Sequence, residues 1–193
     1  MSSFSCKKCG AAFEMEIPAV VNADSNPEIK EKVVSGELFV RQCPVCGELN
    51  LVTPDFLYTE PSRKLVVCLT QRSLSAAEDI PDTTCRLVGS VGELIEKIKI
   101  SDASLSDVVV EMCKYVTLQE MGKDLDLKFL RLEGADNDLV MAYPQDGQMQ
   151  MLQLGFNVYE DCLAIVSRNP EFSRLSSGLV RIDRKWMEAF FNN

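Results

Sequence analysis

Histidine is absent from the 193 residues of this chain, and that absence excludes whole classes of chemistry. Without an imidazole there is no Ser-His-Asp or Cys-His nucleophile system, no HExxH metalloprotease, no histidine-bearing zinc finger and no two-His-one-carboxylate iron site. Long apolar runs are scarce too. They are strand-like pieces such as Leu65 to Leu69, far below the roughly 20 residues that a bilayer span requires. The opening Met1-Ser-Ser-Phe-Ser-Cys6 has neither a basic stretch nor an apolar one, so it does not read as a signal peptide. There is no Walker A loop, no GxGxxG and no low-complexity tract. Positive charge is in short supply: 20 basic side chains face 29 acidic ones, a formal net charge of −9. Nonspecific nucleic-acid binding rests on clustered Lys and Arg, so that balance disfavours it.

What remains is ordinary globular material, 46% apolar and 25% charged. A chain of this length makes one or two domains and buries roughly 70% of its unfolded surface, so it needs no disulfides to hold a core. Eight cysteines without an export signal read as thiols or metal ligands, and a cytoplasmic setting is expected.

Four of those cysteines carry the clearest signal. Cys6-Lys-Lys-Cys9-Gly10 and Cys43-Pro-Val-Cys46-Gly47 are two C-x2-C-G pieces with 33 residues between Cys9 and Cys43. A C-x2-C turn presents two sulfurs to one ion, and two such turns supply the tetrahedral corners of a closed structural zinc site. Glycine after each second cysteine lets the chain turn back through positive φ, and Pro44 presets the second turn. One structural zinc ion held by Cys6, Cys9, Cys43 and Cys46 is therefore expected. A redox role, or iron in the same four sulfurs, is the competing reading. Four thiolates leave no position for a reacting water, so zinc chemistry is not expected. Cys68, Cys85, Cys113 and Cys162 stand alone and read as buried free thiols.

The pattern along the chain predicts an α+β protein: an N-terminal β-rich zinc ribbon with an inserted helix, followed by a helix–antiparallel-sheet domain. Phe13 to Ile17 alternates like a half-buried strand. Asn26-Pro27-Glu28 opens a helix that Gly36 ends. Strands are expected over 37–41, 48–52, 56–58 and 64–70. The polar stretch 73–84, broken by Pro81, reads as a linker between domains at 1–72 and 85–193. Ser90-Val-Gly-Glu93 matches a capping box, and Leu105, Val108, Val109, Met112, Cys113 and Val116 form a helical stripe. Strands are expected at 127–133, 139–143 and 149–156, with turns at Ala135 to Asp138 and at Gln145 to Gly147. Asn157-Val-Tyr-Glu160 reads as a second capping box, Leu179 to Ile182 as a last strand, and Asp183 as the cap of a terminal helix carrying Trp186.

The opening C-x2-C-G, the Asn26 to Lys32 helix, the Ser35-Gly36-Glu37-Leu38 turn, the Cys43-Pro-Val-Cys46-Gly47 knuckle and Leu57-Tyr58 together resemble the CpXC family, named for this cysteine motif. The match is densest over 4–70. Glu93 to Ile98 and Leu105 to Lys114 resemble the helical part of longer members. The first knuckle departs from the motif, with Lys7 where the second has Pro44. The resemblance implies four-cysteine metal binding in a cytoplasmic setting, and it implies no reaction.

Glu93, Glu96, Asp107 and Glu111 fall on the polar sides of two successive helices. They could gather into an acidic groove for a basic partner or into a carboxylate pair for acid–base work. The plainer reading is a solvated face with local pairs. Asp136 and Asp138 lack calcium-loop spacing and read as turn residues. Lys7 and Lys8, on the first knuckle tip, are the best nucleic-acid feature in an acidic chain. The leading expectation is a non-enzymatic protein-binding or adaptor module whose partner has a basic surface, without membrane contact. Self-association stays open. A nucleic-acid-binding ribbon and a histidine-free carboxylate enzyme are the alternatives.

Overall fold

The computed structural model describes residues 2–72 and 80–192. It is a mixed α+β protein. The chain divides into two compact units, Met1–Ser75 with Leu87–Ile95, and Ala76–Arg86 with Glu96–Asn193. The linker expected over 73–84 lies outside the described residues for 73–79.

The first unit begins with a hairpin of β1 (Ser2–Ser5) and β2 (Ala12–Met15), paired Ser2 to Met15 and Ser5 to Ala12. β3 (Val20–Asn22) leads into α1 (Pro27–Val34). Pro27 occupies the first turn, where a missing N–H costs nothing. Asn26 precedes it as expected, but its side chain does not cap the helix: Nδ2 donates to the Asn22 carbonyl instead. Gly36 ends the segment at φ +79, a left-handed turn. The strand expected over 37–41 is shorter than its pattern suggests. Glu37–Phe39 forms a 3-10 turn that sinks Phe39 fully into the core. Only then do β4 (Val40–Gln42) and β5 (Leu49–Leu51) pair as a hairpin.

β6 (Phe56–Glu60) and β7 (Leu65–Leu69) form an antiparallel pair, and β3 joins β6 in parallel. Alternate positions of β6 and β7 are buried, including Phe56, Tyr58, Leu65, Val67 and Leu69. The period-two pattern of a sheet with one core face thus holds here. β8 (Thr84–Val88) continues this sheet beside β7. The parallel β3–β6 pair and β8 carried no local signal, because long-range pairing leaves none in the sequence.

In the second unit the capped stretch after Ser90 extends as α2 (Val91–Asp102), whose division between the units falls at Ile95 and Glu96. α3 (Asp107–Met121) follows and ends at Gly122, with φ +59. Three antiparallel strands come next in the order β11–β10–β9: β9 (Lys128–Glu133), β10 (Asp138–Gln145) and β11 (Gln148–Leu154). α4 (Phe156–Arg168), α5 (Pro170–Leu175) and α6 (Arg184–Asn192) complete the unit. Val109, Cys113, Phe129, Leu139, Met141, Phe172 and Met187 lie in one buried cluster. The capping box expected at Asn157 is not formed, because α4 already starts at Phe156 with Gly155 in the cap position. The strand expected over 179–182 is reduced to a single bridge between Val180 and Arg86. Asp183 does cap the last helix, accepting from the Trp186 N–H at 2.9 Å.

Candidate metal centre

The two knuckles have the same backbone. In the first, the Cys6 N–H donates to the Ala11 carbonyl at 2.9 Å and the Gly10 N–H to the Cys6 carbonyl at 2.9 Å. In the second, the Cys43 N–H donates to the Glu48 carbonyl at 2.7 Å and the Gly47 N–H to the Cys43 carbonyl at 3.0 Å. Gly10 and Gly47 both sit at φ +73, a conformation that costs a Cβ-bearing residue about 1–2 kcal/mol. Each turn crowns a hairpin, β1–β2 or β4–β5, so strand pairing fixes where its sulfurs point.

The four Sγ atoms of Cys6, Cys9, Cys43 and Cys46 lie within 4.8 Å of one another. Across the knuckles, Cys6 Sγ is 3.6 Å from Cys46 Sγ, and Cys9 Sγ is 3.7 Å from Cys43 Sγ. A tetrahedron of sulfurs at the usual zinc–thiolate distance has edges of about 3.8 Å, so the donor set fits a single tetrahedral ion. Cys6 and Cys43 are buried, while Cys9 and Cys46 are open to solvent.

Protonation supports the same conclusion. The Cys9 N–H hydrogen bond comes first among the influences on Cys6. With the Lys8 N–H and the Asn50 amide it outweighs burial and lowers that thiol to about 6. The N–H groups of Cys46 and Val45 lower Cys43 in the same way. Cys46 goes the other way: the Glu48 N–H favours its thiolate, but Cys9, burial, Cys6 and Cys43 outweigh that and push it up to about 12. A bound cation would supply the charge that lets the full set act as thiolates.

Asn50 completes the surroundings and went unnoticed in the sequence. It is 2% exposed. Its Oδ1 accepts from the Lys7 N–H at 2.9 Å, and its Nδ2 donates to the Glu48 carbonyl at 2.9 Å and faces Cys6 Sγ at 3.6 Å. One side chain on β5 thereby ties the two knuckles together and orients a ligand. Only an asparagine between Leu49 and Leu51 hints at it, where alternation in a strand would turn it inward.

The four carboxylates do not form the exposed acidic face expected of them. Glu96, Asp107 and Glu111 are each less than 10% exposed. Asp107 takes Arg86 Nε at 2.7 Å, Arg86 Nη2 at 3.0 Å and Lys97 Nζ at 2.8 Å. Glu96 accepts from Lys114 Nζ at 3.1 Å and from the Phe129 N–H at 2.7 Å. Glu111 meets Lys114 Nζ at 2.6 Å. Helical period alone put these acids on a polar side. Arg86 and Lys97 reach Asp107 from 21 and 10 positions away and Lys114 reaches Glu96 from 18, separations that sequence spacing does not register, whereas Lys114 meets Glu111 at the i,i+3 spacing that the sequence does show. Burial raises the Asp107 carboxyl, but Lys97 and Arg86 outweigh it and hold the group well below the usual carboxylate range. Burial prevails at Glu111 and pushes it up. Glu93 is half-buried in the first unit: the Glu93 N–H donates to Ser90 Oγ at 3.2 Å, as the capping box predicts, and Oε2 accepts from the N–H of Gly89, the residue before the cap, at 2.9 Å.

Among the described residues no helix is long and apolar enough to cross a membrane. The family profile described as CpXC protein matches residues 4–114, more than half of the chain. The chain therefore belongs to the CpXC family. No curated protein and no solved structure matches it.

Proposed function

We propose that this CpXC protein uses one structural zinc ion, held by Cys6, Cys9, Cys43 and Cys46, to brace a zinc-ribbon surface that binds another protein in the cytoplasm. Zinc suits a closed four-thiolate tetrahedron, and structural sites of that kind carry no reacting water. The observation that carries the protein-binding reading is the outer face of the β4–β5 hairpin. Val40 pairs with Leu51, and Gln42 with Leu49, so these side chains share a face. Val40, Leu49 and Leu51 are 37%, 67% and 48% exposed, and Val45 at the knuckle tip is 72% exposed. A hairpin of this size has no folding reason to display four apolar side chains next to a metal cross-link.

The partner that fits is an apolar protein surface. The basic partner expected earlier loses its foundation, because Glu96, Asp107 and Glu111 are buried among cations of their own unit. The same burial removes support from the carboxylate-enzyme reading. Nucleic-acid binding through Lys7 and Lys8 is the second reading. It is weakened by Glu48, which pairs with Lys8 Nζ at 3.1 Å.

Cross-linking in cell extract, comparing the wild type with Leu49→Lys and Leu51→Lys, tests the proposal. Native mass spectrometry shows whether each variant keeps its zinc. A partner captured by the wild type and lost by zinc-loaded variants supports the proposal. The same captures from all three proteins contradict it. A gel shift abolished by Lys7→Ala with Lys8→Ala would favour the nucleic-acid reading in its place.

A further inference from the structure

The two edges of the β11–β10–β9 sheet are built very differently. β9 is guarded. It carries Lys128, Arg131 and Glu133, the last two ion-paired at 2.8 Å, and its register with β10 shifts at Val140/Met141. Charges and bulges of this kind keep a sheet edge from pairing with another chain. β11 has none of these devices. Gln148-Met-Gln-Met-Leu-Gln-Leu154 is seven residues without a charge, a proline or a glycine, in a chain that is 25% charged. Its register with β10 runs without a break from Gln145–Gln148 to Leu139–Leu154. It has no second strand neighbour among the described residues. Every second backbone N–H and C=O of such a strand points away from its one partner.

The side chains divide cleanly. Leu152 and Leu154 lie opposite Met141 and Leu139 and pack on the core of the unit. Met149 and Met151 lie opposite Pro144 and Ala142 on the other face and are 63% and 64% exposed. They form a row of flexible apolar side chains along an open edge, and methionine adapts readily to a partner's shape.

We propose that β11 is a self-association edge, pairing antiparallel with β11 of a second copy about a two-fold axis at Gln150. That axis sets Met149 opposite the other copy's Met151, and the reverse, so four methionines close into one stripe. On the other face it sets Gln150 opposite its own copy, where two amides can hydrogen-bond. Gln148 then meets Leu152, and Asp146 meets Leu154. Nowhere in this register does a charge face a like charge, which is the electrostatic condition that a copy of a −9 chain must satisfy. The interface is isologous and closed, and it joins two three-stranded sheets into one of six. The inference is independent of the metal centre and of the partner proposed for the β4–β5 face.

Sedimentation velocity over a concentration series tests it, with Met151→Lys and Gln150→Lys against Arg131→Ala on β9 as the control. Circular dichroism checks that each variant folds. The wild type and Arg131→Ala are expected to dimerise alike. The two lysine variants are expected to weaken the dimer on the order of tenfold or more. Amides of β11 should gain hydrogen-exchange protection as wild-type concentration rises, a readout that needs no variant. A wild-type chain that stays monomeric to the highest concentration overturns the proposal. So does a dimer indifferent to both lysine substitutions, or one lost equally with Arg131→Ala.

Discussion

The cysteine-bearing hairpins and the second unit bury apolar material on very different scales. Around the knuckles, the buried cluster consists of Cys6, Phe13, Cys43 and Val52, and two of these belong to the four-cysteine cluster. The cluster in the second unit has sixteen buried members, from Ile100 to Met187. A hairpin pair of the first kind cannot offset its chain entropy by burial alone, so a metal cross-link replaces the missing core. The second unit has enough core to carry a cost. It takes Arg86, Glu96, Lys97, Asp107, Glu111 and Lys114 out of water, three charges of each sign, and leaves none without a partner. Such networks rarely add net stability over apolar packing, but breaking one is expensive. One region is therefore vulnerable to loss of an ion, the other to loss of a single charge.

Metal removal should separate the two most sharply. Structural zinc in small domains is worth on the order of 10–16 kcal/mol of apparent binding energy. Chelation, or Cys43→Ser, is expected to abolish hydrogen-exchange protection in β1, β2, β4 and β5. Protection in α3 and β10 should stay at its original level. Loss of protection in both sets would dissolve the contrast.

Asp107→Ala should do the reverse. It strands Arg86 and Lys97 without their carboxylate, at a cost of about 3–5 kcal/mol, while zinc stoichiometry stays unchanged. Trp186, the single tryptophan, packs against the second unit's core, so its fluorescence in denaturant reads this loss directly.

The pH dependence of the same signal follows from the signs. The Asp107 carboxyl is depressed in the fold, because Lys97 and Arg86 overcome the burial that would raise it. Its contribution is complete above the unfolded value of about 3.9 and declines as pH falls below that. Lys114 is raised, because Glu96 and Glu111 overcome the burial that would lower it. Its contribution is complete below about 10.4 and is lost above that. Glu111, raised by burial, works the other way and offsets part of the acid loss. Tryptophan-monitored stability should fall at both extremes of pH. Stability that does not change as pH drops below about 3.9 or rises above about 10.4 would contradict the network as described.

Gly47→Ala probes the knuckle alone. At φ +73 the added Cβ should cost about 1–2 kcal/mol of metal-bound stability, with all four ligands retained. Cadmium or zinc titration would show weaker binding at unchanged stoichiometry. Lys8→Ala is the smallest change. Its exposed pair with Glu48 is worth about 0–1 kcal/mol, and melting should scarcely move.

The four-cysteine cluster was legible in the sequence because its geometry is local. Two C-x2-C-G turns determine their own backbone, and the structure repeats it in both knuckles. Helices with strong period or caps, such as α2 and α3, were legible for the same reason. Asn50 was not, because its role depends on the opposite knuckle. The buried network was hidden too: Arg86 reaches Asp107 across 21 positions and Lys97 reaches the Ile182 carbonyl across 85, so the acids looked solvated. α5 was missed between α4 and the last strand expected. Asn169 caps it by accepting from the Glu171 N–H at 3.0 Å, with Pro170 in its first turn, a local signal that the sequence does carry.

X-ray absorption at the metal edge of the purified protein tests the central claim most directly. The account predicts a zinc edge and four sulfur neighbours at about 2.3 Å, with no lighter ligand. An iron edge, or a zinc shell containing oxygen or nitrogen in place of a cysteine sulfur, would contradict the closed four-cysteine zinc site.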